Sequence, residues 1–272
     1  MVIDNSGYFP RVVELSARLL APRVKHYIFI SSIAAYADFA TAGIDENHPL
    51  AKLDGPVVEE RSSKTYGPLK ALCEEVVNKV YGKNGTIIRP TYIAGPGDYT
   101  DRFTYWPVRV SKGGEMLAPG APADPIAYID VRDLAGFIAT CVEKRVTGTY
   151  NIVNKPGSIT IGRMIDTSTR ITGANPTVTW APVEFLRAQG LIATELVATP
   201  QLPLWDEPTG EMMGVALLRC DRALAKGLRL RSLEDAIRDT LEWQKGRPAE
   251  NQTLKAGLKP EREAELLKLL KA

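Results

Sequence analysis

The 272 residues carry 34 Lys plus Arg against 32 Asp plus Glu, a formal charge of +2 that gives no bulk field for gathering nucleic acid or an anionic membrane. A hydrophobic fraction of 44% and a charged fraction of 24% exclude the disordered classes. Cys73, Cys141 and Cys220 are widely spaced and form no CxxC, which predicts free thiols in a reducing, cytoplasmic setting; His26 and His48 belong to no ligand-like cluster, so no metal site is expected.

In chain order, Val2 and Ile3 read as the end of a short buried strand, Asp4 to Gly7 as a turn, and Pro10 to Leu20 as a helix. Strand, polar turn and helix make half of a βαβ unit, so the sequence reads as if it starts in mid-fold. Tyr27 to Ser31 and Thr86 to Arg89 are β-rich apolar runs, the pattern of buried parallel strands. Between them, Leu69, Leu72, Cys73, Val76, Val77 and Val80 fall at helical spacing, and Pro68, tolerable in a first turn, predicts a helix that begins close to Tyr66 and ends near Tyr81. Ile129 to Asp133 leads into a helix through Cys141, and Gly148 to Val153 is a further strand. Helices are expected near Ile161 to Ile171, Val183 to Gln189, Arg222 to Lys226 with Asp221 as N-cap, Leu233 to Trp243, and Pro260 to Leu270. No apolar run reaches the roughly eighteen residues needed to span a bilayer. The expected fold is α/β, with a partial Rossmann-like parallel sheet over 1–154, a smaller substrate lobe over 155–214 and C-terminal helices over 215–272 that pack back on the core.

Tyr66 and Lys70 stand four apart at the start of the central helix, which puts phenol and ammonium on one face. A neighbouring cation favours phenolate, moving a group that ordinarily titrates near ~10 toward the range where it exchanges protons at neutral pH. Ser32 follows the strand that ends at Ser31, and the carboxyl ends of parallel strands are where α/β sheets hold their ligands. A solvated helix face and a turn-capping serine are the bland readings of the same residues.

SSIAAY at Ser31 to Tyr36, with TYGPLK at Thr65 to Lys70, resembles the extended short-chain dehydrogenase/reductase family of the NAD-dependent epimerase/dehydratase type. RPTYIAGPGD at Arg89 to Asp98 is similar to that family's sixth strand and loop, YIDVRDLAGF to its next helix entry, and SLEDAIRDTLEW at Ser232 to Trp243 to its closing helix. The resemblance implies Tyr66 as acid/base, Lys70 lowering its pKa and holding the nicotinamide ribose, and Ser32 polarising the substrate oxygen. It implies NAD or NADP as cofactor, with Pro90, Thr91, Tyr92 and Ile93 lining the nicotinamide and Asn5, Ser6, Gly7 and Ser31 beside its ribose and phosphates. The family's glycine-rich GxxGxxG turn is not found in the sequence: Gly95-Pro96-Gly97 and Gly113-Gly114 lead into no such pattern. MVIDNSGY matches the family's fourth strand, so three preceding strands are expected to be missing, and with them tight cofactor binding.

Arg102, Tyr105, Trp106 and Arg109 interleave cations and aromatics after the loop, and with Trp205 they are candidate contacts for a small, sugar-nucleotide-like substrate. Packing between lobes is the alternative, and Arg132 reads as an ion-pair partner of Asp130 or Asp133. Three functions are open: an oxidoreductase, epimerase or dehydratase; a truncated, inactive binding or scaffold protein of the same fold; and an RNA binder, which the neutral charge disfavours. The edge left at Val2-Ile3 is expected to drive homodimer formation, to be covered, or to aggregate.

Overall fold

The computed structural model describes residues 1–192 and 201–272. The chain opens with β1 (Val2–Asp4), α1 (Pro10–Leu20), β2 (Tyr27–Ile30), α2 (Ser63–Tyr81) and β3 (Gly85–Pro90). It continues through β4 (Ile93–Ala94), α3 (Tyr105–Ser111), β5 (Glu115–Pro119), β6 (Ile129–Asp130), α4 (Val131–Lys144) and β7 (Gly148–Ile152). The rest is α5 (Ile161–Thr172), β8 (Thr177–Ala181), α6 (Val183–Ala188), α7 (Asp221–Ala225), α8 (Leu233–Lys245) and α9 (Pro260–Leu270).

Strands β1, β2, β3 and β7 form one parallel sheet in that order. Its alternation explains the continuous apolar runs, because both faces are covered. Tyr27 and Phe29 pack with Val13, Ala17, Cys73 and Val77 of α1 and α2, while Ile28 and Ile88 pack with Leu134, Phe137 and Cys141 of α4 on the other side. All three cysteines are free and buried.

β1 is the edge of the sheet, as expected for Val2-Ile3, but is not fully buried: Ile3 is 46% exposed, and Val12, Leu15 and Leu19 of α1 form an exposed apolar stripe nearby in sequence. Helix α2 begins at Ser63, one turn before Tyr66, because Ser62 and Thr65 close a reciprocal capping box. Pro68 therefore lies inside the helix rather than in its first turn. Asp221 is likewise the first residue of α7, with Cys220 as the N-cap.

The second body of packing reaches beyond 155–214. β5 pairs in parallel with β8, and one core joins Phe103, Trp106 and Leu117 to Ile161, Met164, Leu186 and Trp205 and to Ile237 and Leu266 of α8 and α9. Residues 193–200, within the expected substrate lobe, lie outside the described residues. Among the described residues no helix is long and apolar enough to cross a membrane.

Where sheet meets α2, polar groups are buried and mutually satisfied. Arg89 grips Glu74 at 2.5 and 2.9 Å, and the Ser31 hydroxyl donates to the same carboxylate at 2.5 Å. Tyr36 lies under the Arg89 guanidinium, 4.7 Å from ring centre to carbon, and donates to Asn151 at 2.7 Å. A buried charge left without its partner is costly, so Arg89→Met is expected to destabilise the fold by about 3–5 kcal/mol. Combining it with Glu74→Leu should cost less than the sum of the single changes. Urea midpoints of the three variants are the measurement, and strict additivity would show that the pair is not coupled.

Candidate active site

The carboxyl end of β2 delivers Ser32, and the first turns of α2 deliver Tyr66 and Lys70. Their meeting depends on a close approach of backbone. A Cβ at Gly67 would lie 2.2 Å from the Ala34 carbonyl oxygen, so only glycine lets α2 settle against the 3-10 turn Ile33–Ala35. Ser32 caps that turn by accepting from the Ala34 amide at 3.1 Å, which is the bland role and also fixes its hydroxyl. With one lone pair so used, the hydroxyl proton is left to donate.

Tyr66 is half-buried, and burial raises the pKa of its phenol above the ordinary value. Hydrogen bonding from Ser32 and the charge of Arg61 pull the other way, with Tyr8 and Tyr99 close enough to act on it. Among the groups that lower it, Ser32 has the largest effect. Tyr8 packs beside Tyr66, ring centres 6.3 Å apart, with Arg61 over its ring at 5.1 Å.

Lys70 is 3% exposed, and its ammonium donates to the carbonyl oxygens of Ile30 at 2.6 Å and Gly7 at 2.9 Å. It also lies over the Phe29 ring at 4.3 Å. Burial pushes its pKa down to about 8, with Cys73, Glu74 and Asp4 opposing. Gly7 shows a second close approach: a Cβ there would meet Val13 at 2.6 Å and Phe29 at 2.7 Å. Asn5 and Ser6 are exposed on the same turn, where Ser6 bonds Asp4 through its amide at 3.0 Å and its hydroxyl at 3.2 Å.

The remaining predicted residues divide. Pro90 ends β3, Thr91 is buried just beyond it with its hydroxyl unpartnered, Tyr92 is half-buried and Ile93 is exposed on β4. Arg102 lies over the Tyr92 ring at 5.3 Å. Ser31, expected at the cofactor, spends its hydroxyl on Glu74. Four predicted substrate contacts are structural instead. Trp106 is fully buried and donates to the Pro203 carbonyl at 2.7 Å, and Tyr105 packs beside it under Gly257. Arg109 pairs with Glu263 at 2.7 Å and also caps the Gly113 and Glu115 carbonyls. Trp205 is buried and donates to Asp124 at 2.9 Å. Arg132 pairs with Asp130 at 2.7 Å and with Asp239, while Asp133 is held by Arg231.

Sequence reasoning missed Glu74 and Arg89, although Glu74 repeats the i, i+4 step from Lys70.

With the geometry in place, comparison with known proteins is informative. The NAD dependent epimerase/dehydratase family matches residues 3–154, more than half of the chain. The chain belongs to this family. A search among curated proteins gave no match. Among solved structures, the human epimerase family protein SDR39U1 (isoform 2) with NADPH is similar at 19% identity and TM-score 0.57, over 86% of this chain and 72% of that one. WbmG of Bordetella bronchiseptica, in complex with NAD and UDP, is similar at 16% identity and TM-score 0.59, over 89% of this chain and 65% of that one. MoeE5 in complex with UDP-glucose and NAD is similar at 14% identity and TM-score 0.54, over 86% and 70%. At such identities the likeness concerns the fold.

The shifted Lys70 predicts a pH signature. Between about pH 8 and the ordinary lysine value near ~10.4, the unfolded chain holds more protons at this position than the folded one. The group's contribution to stability therefore rises with pH across that window and is lowest below it. Following the Lys70 side chain by NMR should give a titration midpoint near 8 that is absent in Lys70→Met. A midpoint at the ordinary value would show that the ammonium is solvated.

Proposed function

We propose that the protein is an NAD(P)-dependent oxidoreductase or epimerase/dehydratase acting at a hydroxyl or carbonyl of a small substrate, with Ser32, Tyr66 and Lys70 as its working groups. The observation that carries this reading is the convergence of the three side chains at the carboxyl end of the parallel sheet. Lys70 bonded to the Gly7 and Ile30 carbonyls, and a Gly7 too crowded for a Cβ, fit the nicotinamide ribose end of the cofactor. Lys70 and the Asn5 to Gly7 turn would hold that end, with Pro90, Thr91, Tyr92 and Ile93 beside the ring. The cofactor, when bound, would supply or accept the hydride. The same cofactors accompany the similar structures of SDR39U1, WbmG and MoeE5.

The proton chemistry belongs to this chain. In the reducing direction Tyr66 Oη gives its proton to the substrate oxygen as the carbonyl becomes a hydroxyl; in the oxidising direction it takes that proton back. Ser32 donates a hydrogen bond to the same oxygen and holds it within reach of the phenol. Burial favours the protonated phenol of Tyr66, which suits the donor role, and the Lys70 cation would hold the cofactor's hydroxyls rather than act on substrate. Cys73, whose thiol burial pushes up to about 12, takes no part.

Where turnover is measurable, Tyr66→Phe is expected to lower it by about 10²–10⁴-fold while leaving NADPH affinity, weak as the sequence leads one to expect, the same as in the wild type. Single-turnover hydride transfer alongside calorimetric titration of NADPH makes the check. Equal turnover in the two proteins would remove Tyr66 from the mechanism.

Self-association is part of the same proposal. The β1 edge and the exposed stripe Val12, Leu15 and Leu19 present apolar surface and unpaired strand groups, which another copy of the chain would cover. Sedimentation of the wild type should show a dimer or larger species, and Leu15→Lys with Leu19→Lys should shift it toward monomer. A monomeric wild type that stays soluble rules this out.

A further inference from the structure

The amino end of the parallel sheet, opposite Ser32 and Tyr66, carries a cavity of about 540 Å³ that the Ser-Tyr-Lys arrangement does not use. Three segments open onto it: the turn from α1 into β2, the end of α2 with the turn into β3, and the turn from α4 into β7. Helix α2 relates the two ends, since Tyr66 stands near its start and Tyr81 closes it, about 22 Å apart at 1.5 Å per residue. Each turn brings cations to the rim: Arg23 and Lys25 from the first, Lys83 from the second and Arg145 from the third. No carboxylate lines the cavity, and none of the four cations has an ion pair or a side-chain hydrogen bond among the described residues.

Basic residues are common at helix C-termini, where they offset a dipole end equivalent to roughly −0.5 charge. Here backbone amides already answer the last carbonyls. Leu20 accepts from the Arg23 and Val24 amides at 2.9 and 2.8 Å, Asn78 from Gly82, and Cys141 from Arg145 and Val146. Three partial charges set against four full ones leave the cavity positive. Its wall also holds an open donor position. His26 is 4% exposed, its Nε2 lies 2.7 Å from the Thr86 hydroxyl, and that hydroxyl gives its one proton to the Val146 carbonyl at 2.7 Å. Nε2 is therefore the donor, which leaves Nδ1 as the ring atom that is buried without a partner. The hydroxyl of Tyr81, another lining side chain, is likewise buried and unpartnered. Burial, the chain's terminal amine and Arg145 hold the His26 pKa below its ordinary value; an anion would reverse this by favouring imidazolium, whose Nδ1–H donates. Pro22, Val24 and Val80 add apolar wall, and the volume lies within the range of small-molecule sites, roughly 300–1,000 Å³.

We propose that this cavity is a second ligand site, taking a small phosphate-bearing anion of nucleotide size, with Arg23, Lys25, Lys83 and Arg145 around its phosphates and His26 completing the contact. The proposal is independent of the reading of Tyr66. NMR of the imidazoles in the full chain tests it, because His26 and His48 are the two histidines present and His48 lies beside Tyr36 and Asp38 instead. Pyrophosphate and ATP should bind, move the His26 resonances rather than those of His48, and raise the His26 titration midpoint by about one pH unit. Adenosine should do neither. Lys83→Gln combined with Arg145→Gln, both exposed, should weaken pyrophosphate and ATP binding about tenfold or more while leaving the melting temperature in place. ATP bound at the Tyr66 end would leave His26 unmoved and ignore both substitutions. That result, no binding at millimolar ligand, or adenosine acting as ATP does would overturn the proposal. So would a single-stranded RNA that binds more tightly than ATP through the same residues, which would make this end a nucleic-acid surface.

Discussion

The candidate site is held in register by one buried ion pair. Glu74 and Arg89 join α2 to β3, and Ser31 on the end of β2 closes the same carboxylate. Each member of this network neighbours a residue of the site. Ser31 precedes Ser32, Glu74 lies one helical turn beyond Lys70, which lies one turn beyond Tyr66, and Arg89 precedes Pro90. Three separate pieces of chain are thus fixed to one another by buried groups already paired among themselves. A buried pair of this kind adds little to stability over a well-packed apolar alternative, but it tolerates only one arrangement, and a site needs positions held to a fraction of an ångström.

Close backbone approach supplies the remaining precision. Gly67 lets α2 meet the turn capped by Ser32, and Gly7 lets the turn after β1 settle on Val13 and Phe29, with its carbonyl directed at Lys70. The loop after β4 is tied down as firmly. Asp101, fully buried with a left-handed backbone, pairs with Arg247 at 2.6 Å and accepts from the Lys255 amide at 2.9 Å. The loop bearing Tyr99 and Arg102 is therefore anchored to segments some 150 residues later.

That long reach marks the limit of what was legible in the sequence. The strands Tyr27 to Ser31 and Thr86 to Arg89 were readable because a both-faces-buried strand is a continuous apolar run, the nearness of Tyr66 and Lys70 because they stand four apart on one helix, and the place of Ser32 because it follows the end of a strand. The segment from Tyr105 to Arg109 misled for the opposite reason. A cation interleaved with aromatics has the same composition whether it grips a ligand or lies in a core, and what decides for Arg109 is Glu263, 154 residues away. Trp205 misled in the same way, through Asp124 and Ile126. The early start of α2 was legible in principle, since Ser62 and Thr65 stand at capping-box spacing; the weight given to Pro68 concealed it.

The electrostatics of the site follow from the same burial. Desolvation disfavours whichever form is charged, so it raises the Tyr66 phenol and lowers the Lys70 ammonium together. At neutral pH the phenol is left protonated and the ammonium, titrating about one unit higher, mostly charged. Two dipoles, the carbonyls of Ile30 and Gly7, satisfy that ammonium where, among the described residues, no carboxylate pairs with it directly. Ser32 and Arg61 are the groups that pull the Tyr66 phenol the other way. One desolvated helix face thus shifts two groups, one turn apart, in opposite directions, and each is answered by a different set of neighbours.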